Sequence, residues 1–113
     1  VADNINIVTG LYKSINESKI DFIIESLNLN PFKNIKAKNL SLGELQRLAI
    51  CRALVRPFLL LILDEPFSHL DKDNIQKATQ LINQISNDNQ AGIILTSHSE
   101  SQDFSFDKTI VLQ

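Results

Sequence analysis

Ile20, Ile23, Ile24 and Leu27 recur at intervals of three and four residues, the spacing of one helical face. Ser14 and Glu17 stand ahead of them at the separation of a capping box, so the pattern predicts a helix from there to near Asn28. Asn30-Pro31 breaks it, and residues 33–39 read as a polar connecting loop. The first fifteen residues alternate too weakly to assign. A second helix is predicted to open at Ser41, with Leu45, Leu48, Ala49, Ala53 and Leu54 on its buried side and Pro57 ending it. Phe58-Leu59-Leu60-Leu61-Ile62-Leu63 has no polar face and is short for a helix, which predicts a strand buried on both sides. Asp71 then caps a third helix whose stripe is Ile75, Ala78, Ile82 and Ile85, fraying in residues 86–89. Gly92 leads into a second short strand, Ile93-Ile94-Leu95-Thr96. Residues 97–106 are irregular, and Lys108-Thr109-Ile110-Val111-Leu112 forms a last strand. From Ser41 the order is helix, strand, helix, strand, loop, strand, the signature of an α/β fold with a parallel sheet.

Composition narrows the function classes. The 113 residues are 43% hydrophobic and 21% charged, a soluble globular mixture of one-domain size. Such a chain buries roughly two-thirds of its unfolded surface. Eleven basic against thirteen acidic residues give a net charge of −2, which excludes the basic field of a nucleic-acid binder. One cysteine excludes an internal disulfide scaffold. No apolar run has the length to cross a bilayer, and no signal-peptide pattern opens the sequence. The sequence contains no Met and only three glycines, Gly10, Gly43 and Gly92.

Three places carry candidate chemistry. Ser41-Leu42-Gly43-Glu44 opens the second helix, where unpaired N–H groups and the helix dipole offer a phosphate seat and Gly43 admits close approach to the backbone. Ser41 and Glu44 are equally explained as a capping box, and the two readings are compatible. Asp64-Glu65 closes the most apolar strand, and in open α/β sheets ligands bind beyond the carboxyl ends of strands. One acid can hold Mg²⁺ through its waters while the other orients and deprotonates a water. Solvated turn acids are the competing account. His98 lies just past the second strand and stands beside the acids if the two strands are neighbours. Alone it reads as an exposed loop histidine, and Ser97 with Glu100 offers a rival capping box.

Three features carry no such chemistry. Gly10-Leu11-Tyr12-Lys13-Ser14 ends like a phosphate loop but has Ile7 and Tyr12 where glycines are needed. Cys51 reads as a small packing residue, and His69 has no local partner.

Taken together, the segments resemble a known family. Leu40-Ser41-Leu42-Gly43-Glu44-Leu45-Gln46-Arg47 is similar to the signature motif of ABC ATPases, with Cys51 where the following helix more usually has Ala. Leu59 to Pro66 resembles the Walker B strand, Ser68-His69-Leu70-Asp71 the D-loop, and Thr96-Ser97-His98 the switch-histidine segment. The resemblance covers residues 40–99. It implies part of a P-loop NTPase, RecA-like three-layer α/β domain with mostly parallel strands. Residues 1–40 would belong to the helical subdomain, and residues 41–113 would form the signature helix and the Walker B and switch-histidine core.

The resemblance also implies roles. Ser41, Gly43 and Glu44 would meet the ATP held by a second, facing subunit, and Asp71 would help join the two. Asp64 would support Mg²⁺ through water, Glu65 would be the general base, and His98 would contact the γ-phosphate. The implied protein is an ATPase that powers an ABC transporter by ATP-driven dimerisation. Its partners would be a second nucleotide-binding subunit, head to tail, and transmembrane subunits, with no nucleic acid. It would sit in the cytoplasm, peripheral on the inner face of the membrane. The Walker A loop, the adenine-stacking aromatic and the glutamine loop are absent from the 113 residues. The sequence thus reads as the C-terminal portion of a nucleotide-binding domain, inactive alone and marginal or self-associating. The alternatives are a non-transport ABC ATPase of translation or DNA repair, and a non-catalytic dimerisation or scaffold module.

Overall fold

The computed structural model describes residues 1–9 and 16–98 together with residue 110. The first element, α1 (Ala2–Thr9), falls where the pattern assigned nothing; Val1 and Ile5 join the hydrophobic core, and the Ala2 N–H donates to the Lys33 carbonyl. The next, α2 (Glu17–Ser26), is capped by Asn16, whose side chain accepts from the Ser18 N–H at 2.8 Å. This corrects the expected Ser14 cap: Asn caps as well as Ser and stands directly before the first helical residue. Ser14 itself lies outside the described residues, as does the Gly10–Ser14 segment. The chain leaves α2 through Leu27 and an Asn28 with φ of 55°, a left-handed conformation that Asn tolerates better than most residues. A single turn of 3₁₀ helix, Asn30–Phe32, stands at the expected break, and the expected loop that follows contains a second, Ala37–Asn39.

Ser41 caps α3 (Leu42–Leu54), and the helix ends before Pro57 as its chemistry requires. Its buried residues are Leu48, Ile50, Cys51 and Leu54, whereas Leu45 and Ala49, expected inside, are exposed. The face is set by tertiary neighbours. The helix packs against α1, α2 and α4 (Lys72–Asp88), and that surround buries the stripe through Leu48, Cys51 and Leu54. In α4 three residues of the expected stripe, Ala78, Ile82 and Ile85, are buried and Leu81, Thr79 and Ser86 are added, whereas Ile75, in the first turn, is only half-buried. The helix also runs through the expected fray to Asp88, with Asn89 as its C-cap.

Two strands complete the described fold. β1 (Leu60–Asp64) pairs in parallel with β2 (Gly92–Thr96), with Leu60 opposite Gly92 and Asp64 opposite Thr96. The expectation that β1 is buried on both faces fails. Side chains alternate along a strand, and Leu61 and Leu63 point into the core while Leu60 and Ile62 point out, Ile62 being 66% exposed. Ile94 on β2 shares that open face, and Leu59 before β1 is 81% exposed. The buried cluster joins Leu61 and Leu63 to residues of the four helices on one side of the pair. The expected last strand, 108–112, lies outside the described residues except for Ile110, which is exposed.

Arg47 ties the helices together. Its Nη1 donates to the carbonyls of Leu27 (3.0 Å) and Asn28 (3.4 Å), and its guanidinium lies 5.8 Å from the Phe32 ring centroid. A cation at the C-terminal end of α2 meets both unpaired carbonyls and the negative end of the helix dipole.

Two predictions follow from the packing. Leu61→Ala should lower stability by about 2–5 kcal/mol in chemical denaturation, whereas Ile62→Thr, one residue on, should change it by about 0.5 kcal/mol or less. Equal losses would show that both faces of β1 are packed in solution. Burial pushes the Cys51 thiol up to about 12. The folded state therefore keeps a proton that the unfolded state releases. The stabilising contribution is complete below the ordinary thiol value and is lost as pH rises from there toward about 12. Cys51→Ala should flatten the alkaline fall in thermal midpoint, and iodoacetamide should label Cys51 only after denaturant is added.

Candidate functional site

The parallel register brings the carboxyl ends of β1 and β2 side by side, the edge at which α/β folds hold their ligands. Asp64 faces Thr96, whose hydroxyl donates to Asp64 Oδ1. The Glu65 N–H donates across the pair to the Thr96 carbonyl at 3.1 Å and lies 3.2 Å from the Thr96 hydroxyl. Glu65 has φ of 47°, a left-handed conformation in which a non-glycine residue is strained. Its half-buried carboxylate sits with Oε1 3.3 Å from His98 Nε2, and His98 is itself 97% exposed. A contact so open to water contributes little stability. Its significance is placement, since an imidazole stands beside a carboxylate at a strand edge. The two acids have separate partners, Thr96 for Asp64 and His98 for Glu65.

The other candidates form a second cluster around the start of α3. The capping box is complete: Ser41 Oγ accepts from the Glu44 N–H and the Ser41 N–H donates to Glu44 Oε1, both at 3.2 Å. By accepting, Ser41 keeps its own hydroxyl proton for another partner. Glu44 thus stands at the positive end of the helix dipole as part of the cap. Asp71 caps α4, accepting from the Asn74 N–H at 2.8 Å. Between the two helix starts lies an open cleft of about 390 Å³ lined by Ser41, Gly43, Arg47, His69, Asp71 and Asn74.

Gly43 has an intramolecular reason that the sequence pattern did not supply. A Cβ there would stand 2.7 Å from the backbone oxygen of His69, so the turn after β1 rests directly on the first turn of α3. Sequence reasoning also missed Thr96 as a partner of Asp64, and Gln46, whose side chain bonds to Glu65, Ser68 and His69. The register would have identified Thr96. Gln46 stands within the motif quoted above, but nothing local names partners 19 to 23 residues away.

Among the described residues, no group of three or more His, Cys, Asp or Glu side chains is placed to hold a metal ion, and no helix is long and apolar enough to cross a membrane. The rival capping box of Ser97 with Glu100 involves a residue outside those described.

Comparison with known proteins points one way. The family model described as ABC transporter matches residues 1–68. The chain is 41% identical over 88 residues to the lipoprotein-releasing system ATP-binding protein of Buchnera aphidicola subsp. Schizaphis graminum, covering 76% of this chain and 38% of that protein. It is 39% identical over 83 residues to the cytochrome c biogenesis ATP-binding export protein of Methylococcus capsulatus, covering 73% of this chain and 39% of that protein. It is 33% identical over 102 residues to the thiamine import ATP-binding protein of Histophilus somni, covering 86% and 48%. The chain spans less than half the length of each of these relatives.

The contact at Gly43 makes a sharp prediction. Alanine is the better helix former by about 1 kcal/mol, yet overpacking against a backbone oxygen costs about 1–3 kcal/mol. Gly43→Ala should therefore destabilise the protein in urea denaturation, and an unchanged or raised midpoint would show that the turn yields without cost.

Proposed function

The chain belongs to the ABC transporter family, and from that premise we propose that its residues serve an ATP-binding and ATP-hydrolysing subunit of a membrane transporter. The observation that carries the proposal is the Glu65–His98 pair at the parallel strand edge, with the capped signature helix packed against the turn that follows Glu65. In this reading Glu65 is the general base: it accepts the proton of a water that attacks the γ-phosphate of ATP, while the bond from the γ-phosphorus to the bridging oxygen breaks and ADP leaves. His98, free of burial, contacts the γ-phosphate and holds the water against Glu65. Residues 1–40 serve as part of the helical subdomain and residues 41–113 as part of the core, within a three-layer domain.

Oxygen donors at the site suit a hard cation. Asp64 presents one carboxylate, already oriented by the Thr96 hydroxyl, and Mg²⁺ is commonly held by one or two carboxylates, its own waters and substrate phosphates. Mg²⁺ would neutralise charge on the phosphates. Asp64 fits as the residue that holds it through water.

The cleft at the start of α3 would receive the γ-phosphate of an ATP bound by a second, facing subunit. Ser41 would donate its remaining hydroxyl proton, and the helix N-terminus beside Gly43 and Glu44 would supply partial positive charge. Asp71 borders the same cleft, where it would meet the facing subunit. ATP binding would then close a head-to-tail pair and hydrolysis would open it, moving transmembrane subunits on the cytoplasmic side of a membrane. The relatives named above include an import and an export protein, which supports a shared nucleotide chemistry beneath different cargoes.

The 113 residues contain no glycine-rich phosphate loop with its lysine, the element that grips the β- and γ-phosphates in P-loop enzymes. The chain alone should release no phosphate from ATP. In the complete subunit, Glu65→Gln should lower turnover by about 10²- to 10⁴-fold while leaving ATP binding intact. Magnesium-dependent hydrolysis by the 113 residues alone, or a complete subunit indifferent to Glu65→Gln, would overturn the assignment.

A further inference from the structure

Gln46 lies one turn into α3, half-buried, and both ends of its amide are engaged with the segment after β1. Nε2 donates to the Glu65 carbonyl at 3.1 Å and to the Ser68 hydroxyl at 2.8 Å, and Oε1 accepts from the His69 N–H at 2.9 Å. These bonds use both N–H donors and one acceptor position of the amide. All three partners belong to residues 65–69, which carry the chain from the candidate base toward Asp71. Two further observations give the contact a purpose. Glu65 has φ of 47°, so its backbone needs external restraint to stay there. Gly43, three residues before Gln46, lets the His69 carbonyl rest on the helix backbone, so the same segment is seated at two points.

We propose that Gln46 is a positioning residue: its amide clamps residues 65–69 onto α3, holds the Glu65 carboxylate beside His98, and links it to the Ser41–Gly43 end of the helix. The role rests on the ATPase reading above. It is separate from packing, because Gln46 lies outside the hydrophobic cluster that Leu48, Cys51 and Leu54 join. Two substitutions dissect it. Gln46→Met keeps the length of the side chain and removes all three bonds. Gln46→Glu keeps an oxygen for the His69 N–H, loses the donors to Glu65 and Ser68, and turns lone pairs toward the Glu65 carbonyl.

The test is steady-state ATP hydrolysis by the complete subunit, with amide hydrogen exchange at His69 and the thermal midpoint measured on the same samples. Gln46→Met is expected to lower kcat roughly tenfold to a hundredfold, as displacement of a reacting group by about 1 Å does. The KM for ATP should stay within about twofold, and the His69 amide should exchange faster. Gln46→Glu is expected to lose the same activity while keeping His69 protected. Either variant with wild-type kcat overturns the clamp, and so does a fall in thermal midpoint with kcat per folded molecule unchanged. A wild-type subunit without Glu65-dependent hydrolysis overturns the ATPase reading and this role with it. An active wild type with unaffected Gln46 variants overturns the clamp alone.

Discussion

Sliding β2 by one residue against β1 would turn every one of its side chains to the other face, because a strand alternates with a period of two. Leu95 would leave the helical side and Ile94 would enter it. Thr96 would no longer stand opposite Asp64, and the Glu65 N–H would lose the Thr96 carbonyl it now meets at 3.1 Å. The parallel register is thus fixed by the demand of Ile93 and Leu95 to pack on the same face as Leu61 and Leu63, and the geometry of the candidate site follows from it. His98 reaches Glu65 because it follows a strand so aligned, two residues past Thr96.

The conformation of Glu65 shows how magnitudes decide. A left-handed backbone costs a non-glycine residue about 1–2 kcal/mol. Against it stand the hydrogen bond from the Glu65 N–H to Thr96 and the bond from Gln46 to the Glu65 carbonyl. Each contributes about 0.5–1.5 kcal/mol net, so together they offset the strain, and neither alone does so with margin. The contact with His98 adds little, since the imidazole is in water. The carboxylate is therefore held by its backbone and not by His98, which leaves the imidazole free to meet a ligand.

What was legible in the sequence was local. Ser41 with Glu44 and Asp71 before α4 announce helix starts because a cap acts within three residues, and both caps form. The run ending in Asp64-Glu65 announces a strand and its acidic end for the same reason. The failures are all tertiary or competitive. Asn16 displaced Ser14 as the cap of α2 because two capping residues lay within reach and sequence spacing does not rank them. Leu45 and Ala49 turned outward because the positions of α1, α2 and α4 select the buried face of α3. The outer face of β1 is open because an apolar run states a preference for burial without supplying the surface that covers it. Thr96, Ser68 and Gln46 gain meaning only from partners 19 to 32 residues away.

The segment between β1 and α4 belongs mechanically to three elements at once. It leaves β1 at Asp64, rests on α3 through Gly43 and Gln46, and ends as the cap of α4 at Asp71. A short segment fixed at both ends and in the middle has few independent motions, so displacement of any one support must move the others. The start of α3 and the Glu65 carboxylate are therefore joined by backbone contact and hydrogen bonds rather than by proximity alone. In the proposed dimer the start of α3 would touch the facing subunit's nucleotide while Glu65 would serve its own. The same contacts would then make each site sensitive to whether the other is filled. Gly43 is the strictest point of that linkage, because there the coupling passes from backbone to backbone, with no side chain free to rotate and absorb the displacement.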